Sequence, residues 1–101
     1  MSEVRISIPK DKIADFCKQN QVRRLSLFGS ILREDFGPDS DIDILVEFEP
    51  GTRMGLIRLS GLEIELGKII GRKVDLNTPG FLSKYFRNQI LAEADVQYDA
   101  A

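Results

Sequence analysis

Histidine and tryptophan are absent from these 101 residues, and cysteine occurs once. Without imidazole there is no His-based triad, none of the common zinc sites, and no side chain that serves by default as a general base near neutral pH. Any catalysis must run on carboxylates, hydroxyls, basic side chains and a bound metal. The lone Cys17 excludes an internal disulfide and suits a reducing cytosol. It sits between Phe16 and Lys18 in a helical pattern, where it reads as a small core residue rather than a reactive thiol. Long apolar runs are also missing, so no segment approaches the roughly 20 residues of a membrane helix. Met1 to Ile8 lacks the continuous apolar core of a signal peptide. Excess charge of one sign is missing too: the formal net charge is −2, which gives no electrostatic reason to expect direct nucleic-acid or membrane binding. A cytoplasmic location is the expectation.

What is present is an ordinary folded-domain balance, 43% hydrophobic and 30% charged, in a length that fits one domain over residues 1–101. Pro9-Lys10-Asp11-Lys12 opens a helix whose apolar positions Ile13, Phe16 and Cys17 follow the i, i+3, i+4 rule, and which ends near Asn20. Val22 to Phe28 is expected as a strand entering the interior. Gly29-Ser30 ends it and starts a short helix, Ile31 to Glu34. Gly37-Pro38-Asp39-Ser40 is turn chemistry. Ile42, Ile44, Val46 and Phe48 then alternate with Asp41, Asp43, Leu45 and Glu47, the pattern of a strand with one apolar face. A long helix from about Met54 to Ile70 places Leu56, Leu59, Leu62, Leu66, Ile69 and Ile70 on one stripe. The spacing of Gly55, Gly61 and Gly67 within it suggests close packing against a neighbour. Gly71 stops the helix. Lys73 to Leu76 is a short strand, Thr78-Pro79 starts a further helix, and Leu82, Tyr85, Phe86 and Ile90 form its apolar face. Asp95 to Tyr98 is a short edge strand. The order implies an α/β domain with a small mixed β-sheet flanked by helices.

The chemistry concentrates around two features. Residues i and i+2 of a strand point the same way with Cα atoms about 6.5–7 Å apart, so Asp41 and Asp43 can converge on one ion or a pair of ions. Asp75, between the inward-pointing Val74 and Leu76, adds a third carboxylate if its strand lies alongside. Three such charges repel by roughly 1 kcal/mol per pair even in bulk water, which a cation relieves. Their all-oxygen donor set suits Mg²⁺ or Mn²⁺. A calcium loop over Asp39, Asp41 and Asp43 fails, because Ile44 stands where glycine is needed and Pro50 where glutamate is needed. The second feature is Gly29-Ser30. Glycine lets the backbone approach a ligand, a helix starting at Ser30 offers free N–H groups to an anion, and Arg33 lies on the same helical face. No Walker sequence or dinucleotide fingerprint competes, since Gly61 to Lys68 has the wrong spacing. The Arg23-Arg24 and Arg72-Lys73 pairs are expected to be solvated strand ends.

Phe28-Gly29-Ser30, ten intervening residues, Asp41-Ile42-Asp43, and a later lone aspartate on a strand together resemble the minimal nucleotidyltransferases of the DNA polymerase beta superfamily. The resemblance runs from about Val22 to Tyr98, and the ending Lys84-Tyr85-Phe86-Arg87 through Ala92-Glu93-Ala94 is similar to that family's last helix. Many relatives have Gly-Ser-x-Ala-Arg-Gly. Here Leu32 and Glu34 replace the alanine and second glycine, and Arg33 is kept. The resemblance implies a polymerase beta-like nucleotidyltransferase fold. It implies that Gly29, Ser30 and Arg33 bind the nucleoside triphosphate, and that Asp41, Asp43 and Asp75 are the catalytic metal ligands for two Mg²⁺ ions. It implies transfer of AMP from ATP to a hydroxyl, expected to be a tyrosine, on a HEPN-type toxin, the chain acting as antitoxin of a type VII toxin–antitoxin pair. Two alternatives remain: an antitoxin that neutralises by binding alone, and a small-molecule nucleotidyltransferase working with a separate substrate-binding subunit.

Overall fold

A computed structural model describes residues 8–32, 37 and 40–100, with backbone only for Ser30 and Phe81. Helix α1 (Lys10–Gln19) buries Ile13, Phe16 and Cys17, and carries Asp11 in its first turn and Lys18 in its last, each favourable to the helix dipole. The Asn20 side-chain amide donates to the Phe16 carbonyl (2.9 Å), and Gln21 takes a left-handed φ of 59°, which turns the chain directly into strand β1 (Val22–Phe28). A short 3-10 turn over Gly29–Leu32 follows, then β2 (Ile42–Phe48), α2 (Leu56–Ile70), β3 (Val74–Asn77), a 3-10 turn over Pro79–Phe81, α3 (Arg87–Glu93) and β4 (Asp95–Asp99). Gly71, with φ of 82°, caps α2 in the left-handed conformation.

The four strands form one mixed sheet in the order β3-β2-β1-β4. β1 is antiparallel to both β2 and β4, while β2 and β3 are parallel, joined by the crossover through α2. A register shift near Val22 lets β1 bury both Val22 and Leu25 while Arg23 stays exposed. Ile42, Ile44 and Val46 share one face with Leu25, Leu27, Val74 and Leu76, and α1 and α2 supply Ile13, Phe16, Leu59, Leu62 and Leu66 to complete the core. On the opposite face the strand partners form rungs: Arg24 with Glu47, Ser26 with Leu45 and Asn77, and Phe28 with Asp43 and Asp75. The middle rung is closed from solvent, with Leu45 at 1% and Ser26 at 2% exposure. The 3-10 turn at Pro79 packs on β2.

Several expectations change. Leu56 is 69% exposed and lies off the buried stripe, because the helix begins there and its first residue projects past the sheet. Gly55 is the N-cap rather than an interior residue, and a Cβ on Gly61 would meet nothing within 4 Å, so Gly61 does not mark a close helix contact. Tyr85 and Phe86 precede α3, are 82% and 58% exposed, and α3 itself buries no residue. The helix after Gly29 is a 3-10 turn that starts at the glycine itself. Its expected continuation through Arg33 and Glu34, and the turn residues Pro38 and Asp39, lie outside the described residues.

Cys17 is fully buried, and that burial raises its thiol from 9.0 to about 12. In the unfolded chain the thiol ionises first, so this contribution to stability is complete below pH 9 and declines as pH rises toward 12. A thiol reagent at pH 8 is expected to label Cys17 only on denaturation; stoichiometric labelling of the native protein would contradict that placement. Leu66→Ala should cost about 2–5 kcal/mol in urea unfolding, whereas Ile57→Ala, at 92% exposure, should stay within about 0.5 kcal/mol.

Candidate active site

The outermost rung of the sheet's open face assembles the site. Asp43 is the registered partner of Phe28 on one side and of Asp75 on the other. Registered partners in a sheet project to the same face, so Asp43 and Asp75 stand side by side, opposite the core residues Ile42, Ile44, Val74 and Leu76. Asp43 is half-buried and Asp75 exposed. Asp41 precedes β2 by one residue; it is exposed, and its Oδ2 lies 3.9 Å from Lys73 Nζ, a solvent-screened pair of little energetic consequence. Among the described residues, no three carboxylates are drawn together tightly enough, as their side chains stand, to hold a metal ion. The backbone brings Asp43 and Asp75 together, and Asp41 stands apart from them beside Lys73.

Gly29 fixes the other half. Its φ of 74° is one that side chains disfavour, and a Cβ there would run into the Asp43 carboxylate, with Asp43 Cγ only 3.1 Å away. The backbone at Gly29 therefore lies directly against the central aspartate, and the glycine-serine turn and the carboxylates are one site. This is also the test of whether the residues suit a divalent cation with a polyphosphate. The donors are all oxygen, and no side chain at position 29 stands between the turn and the Asp43 carboxylate. Ser30 contributes its backbone to the 3-10 turn. Arg33 lies outside the described residues.

Two supports escaped the sequence. Arg72, expected as a solvated strand end, is half-buried and donates from its guanidinium to the carbonyls of Gly37 (2.9 Å) and Ser40 (2.8 Å). Ser40 N–H donates to the Gly37 carbonyl and Gly37 N–H to Ser40 Oγ, both at 3.1 Å, closing the turn that leads into Asp41. Arg72 thus ties the start of β3 to the loop that presents Asp41. Its only sequence signal is its place just after the helix stop Gly71. Glu63 on α2 accepts the Leu76 N–H at 2.8 Å, satisfying an edge-strand donor beside Asp75. A groove of about 420 Å³ between α2 and β3 is lined by Glu63, Lys68, Arg72 and Lys73 and by none of the three aspartates.

Comparison with known proteins gives the family and the fold. A nucleotidyltransferase domain model matches residues 10–96. A Methanocaldococcus jannaschii protein named as a putative protein adenylyltransferase is 39% identical over 85 residues, covering 84% of this chain and 89% of its own length. A solved structure described as a putative minimal nucleotidyltransferase superposes with a TM-score of 0.69 at 32% identity, covering 84% of this chain and 85% of that one. The fold also matches a chain in a solved complex of a tri-AMPylated Shewanella oneidensis HEPN toxin with MNT antitoxin, at a TM-score of 0.65 and 23% identity, covering 89% of this chain and 69% of that one.

Gly29→Ala should destabilise the domain by about 1–3 kcal/mol through strained backbone and displacement of Asp43. Gly61→Ala, with open space around it in a helix, should instead stabilise by about 0.5–1 kcal/mol. Urea midpoints of the two variants, side by side, check both signs.

Proposed function

Since the chain belongs to the nucleotidyltransferase domain family, we propose that it transfers AMP from ATP to a tyrosine hydroxyl of a HEPN-type toxin and so acts as the toxin's antitoxin. The observation that carries this reading is the contact between Gly29 and Asp43, with Asp75 in register beside it. It joins a phosphate-accommodating turn to paired carboxylates without any intervening side chain. Asp41, Asp43 and Asp75 would hold two Mg²⁺ ions, with Mn²⁺ able to substitute, and Gly29, Ser30 and Arg33 would receive the triphosphate. When bound, the ions would supply charge stabilisation for both the entering and the leaving oxygen of an in-line displacement at the α-phosphorus.

The protein's own part is positional. Asp43, central in the rung and half-buried, sits where turn and carboxylates meet. Asp75 is exposed and stands beside it on β3. The new bond joins the tyrosine oxygen to the α-phosphorus while its hydroxyl proton passes to solvent, the bond from that phosphorus to the bridging oxygen breaks, and pyrophosphate departs. No histidine is needed, which matches a chain that has none. The HEPN partner is supported by the composition of the complex whose chain shares this fold, and AMP transfer by the name of the Methanocaldococcus relative.

With a HEPN toxin, Mg²⁺ and α-labelled ATP, wild-type protein should place label on the toxin. Asp43→Asn should lower that transfer by about a hundredfold or more. Absence of transfer by the folded wild type would reject the proposal. Asp41→Ala/Asp43→Ala protein that neutralises the toxin fully would show that binding alone suffices.

A further inference from the structure

One cavity touches the site and is used by none of the steps above. It encloses about 260 Å³ and is lined by Phe28, Gly29, Phe86, Gln89, Ile90 and Glu93. Gly29 is shared with the phosphate turn, and Phe28 is the strand partner of Asp43. The cavity is therefore continuous with the place where a triphosphate would lie. Its walls are two aromatic rings and an isoleucine, and its polar atoms come from one helix. Gln89 Nε2 donates to Glu93 Oε1 at 3.3 Å. That bond uses one of the two amide hydrogens, so Gln89 still offers an N–H and its carbonyl oxygen, whereas Glu93 offers its second carboxylate oxygen, an acceptor only.

We infer that this cavity is the nucleobase subsite, in which the base stacks on Phe86 and turns an amino-bearing edge toward Gln89 and Glu93. The inference rests on the reading of Gly29 as the phosphate turn and adds what selects the nucleotide. A flat, partly apolar ring system fits aromatic walls of this volume, and stacking on an exposed aromatic side chain is a recurrent means of holding a base. Phe86 is 58% exposed, and a stacked base would cover it. Glu93, an acceptor held in place by Gln89, favours adenine, whose 6-position carries an amino donor, over hypoxanthine, whose 6-position is an acceptor oxygen.

Binding of ATP, ITP and inorganic tripolyphosphate to the full chain in Mg²⁺, measured by calorimetry, separates the outcomes. The expected result is that wild type binds ATP more tightly than either ITP or tripolyphosphate. Phe86→Ala should weaken ATP roughly tenfold or more and leave tripolyphosphate unchanged. Phe86→Tyr, which keeps the ring, should retain ATP affinity, and Gln89→Leu should narrow the ATP–ITP gap. Thermal melting of each variant confirms folding, and an unfolded Phe86→Ala is replaced by Phe86→Leu with the same expectation. If ATP and tripolyphosphate bind alike, or if folded Phe86 variants leave ATP affinity intact, the base subsite is wrong while the phosphate site stands. If neither ligand binds wild type, the phosphate turn itself fails and the base subsite falls with it.

Discussion

The close approach of Gly29 to the Asp43 carboxylate is the constraint on which the rest of the site depends. A glycine with positive φ ends β1, and Asp43 occupies the rung beside the last residue of that strand. Any side chain at position 29 would displace the central carboxylate. Any slip of β2 by one residue would send Asp43 into the apolar core and Ile42 or Ile44 out to solvent. The burial of Ile42, Ile44 and Val46 against α1 and α2 thus fixes the register and, through it, the position of the acidic group. Core energetics and site geometry are two consequences of one alternating strand.

The sheet's two faces divide the labour. The helix-covered face holds nearly all of the apolar core. The other face is graded from a half-buried charged rung of Arg24 and Glu47, through a closed middle rung of Ser26 and Leu45, to the acidic rung at its far end. Leu45, though apolar and buried, belongs to the second face and lies outside the main core cluster. The parallel β2–β3 pair carries Asp43 and Asp75 into register. Its register is held at one end by the Ile42 N–H to Lys73 carbonyl bond of 2.9 Å, and on the outer edge by Glu63. Arg72 fastens the loop before Asp41 to this same region, so the third carboxylate is tethered through a residue that is not itself acidic.

The C-terminal segment behaves differently from the rest. Tyr85, Phe86 and Leu91 are large apolar side chains left in solvent, and α3 buries none of its residues. Exposed apolar surface of this kind is costly to keep unless something covers it. Of these side chains, Phe86 lines the cavity beside Phe28 and Gly29.

Much of the fold was legible from local pattern. The i, i+3, i+4 spacing gave α1, alternation gave β2, and Gly71 gave the end of α2, because these signals are written in the few residues that form each element. The candidate residues were legible too, since Gly29, Asp41, Asp43 and Asp75 announce themselves by chemistry and spacing. Leu56, Tyr85 and Phe86 were misplaced because periodicity marks which side chains share a face, not whether another element covers it. The sequence by itself determined which carboxylates and which glycine are available and that Asp43 points away from the core. Only the tertiary structure decided that Asp75 is the partner of Asp43, that Gly29 abuts that carboxylate, and that Arg72 holds the Asp41 loop. Those contacts join residues up to 35 positions apart, and strand pairing and packing, rather than local preference, bring such residues together.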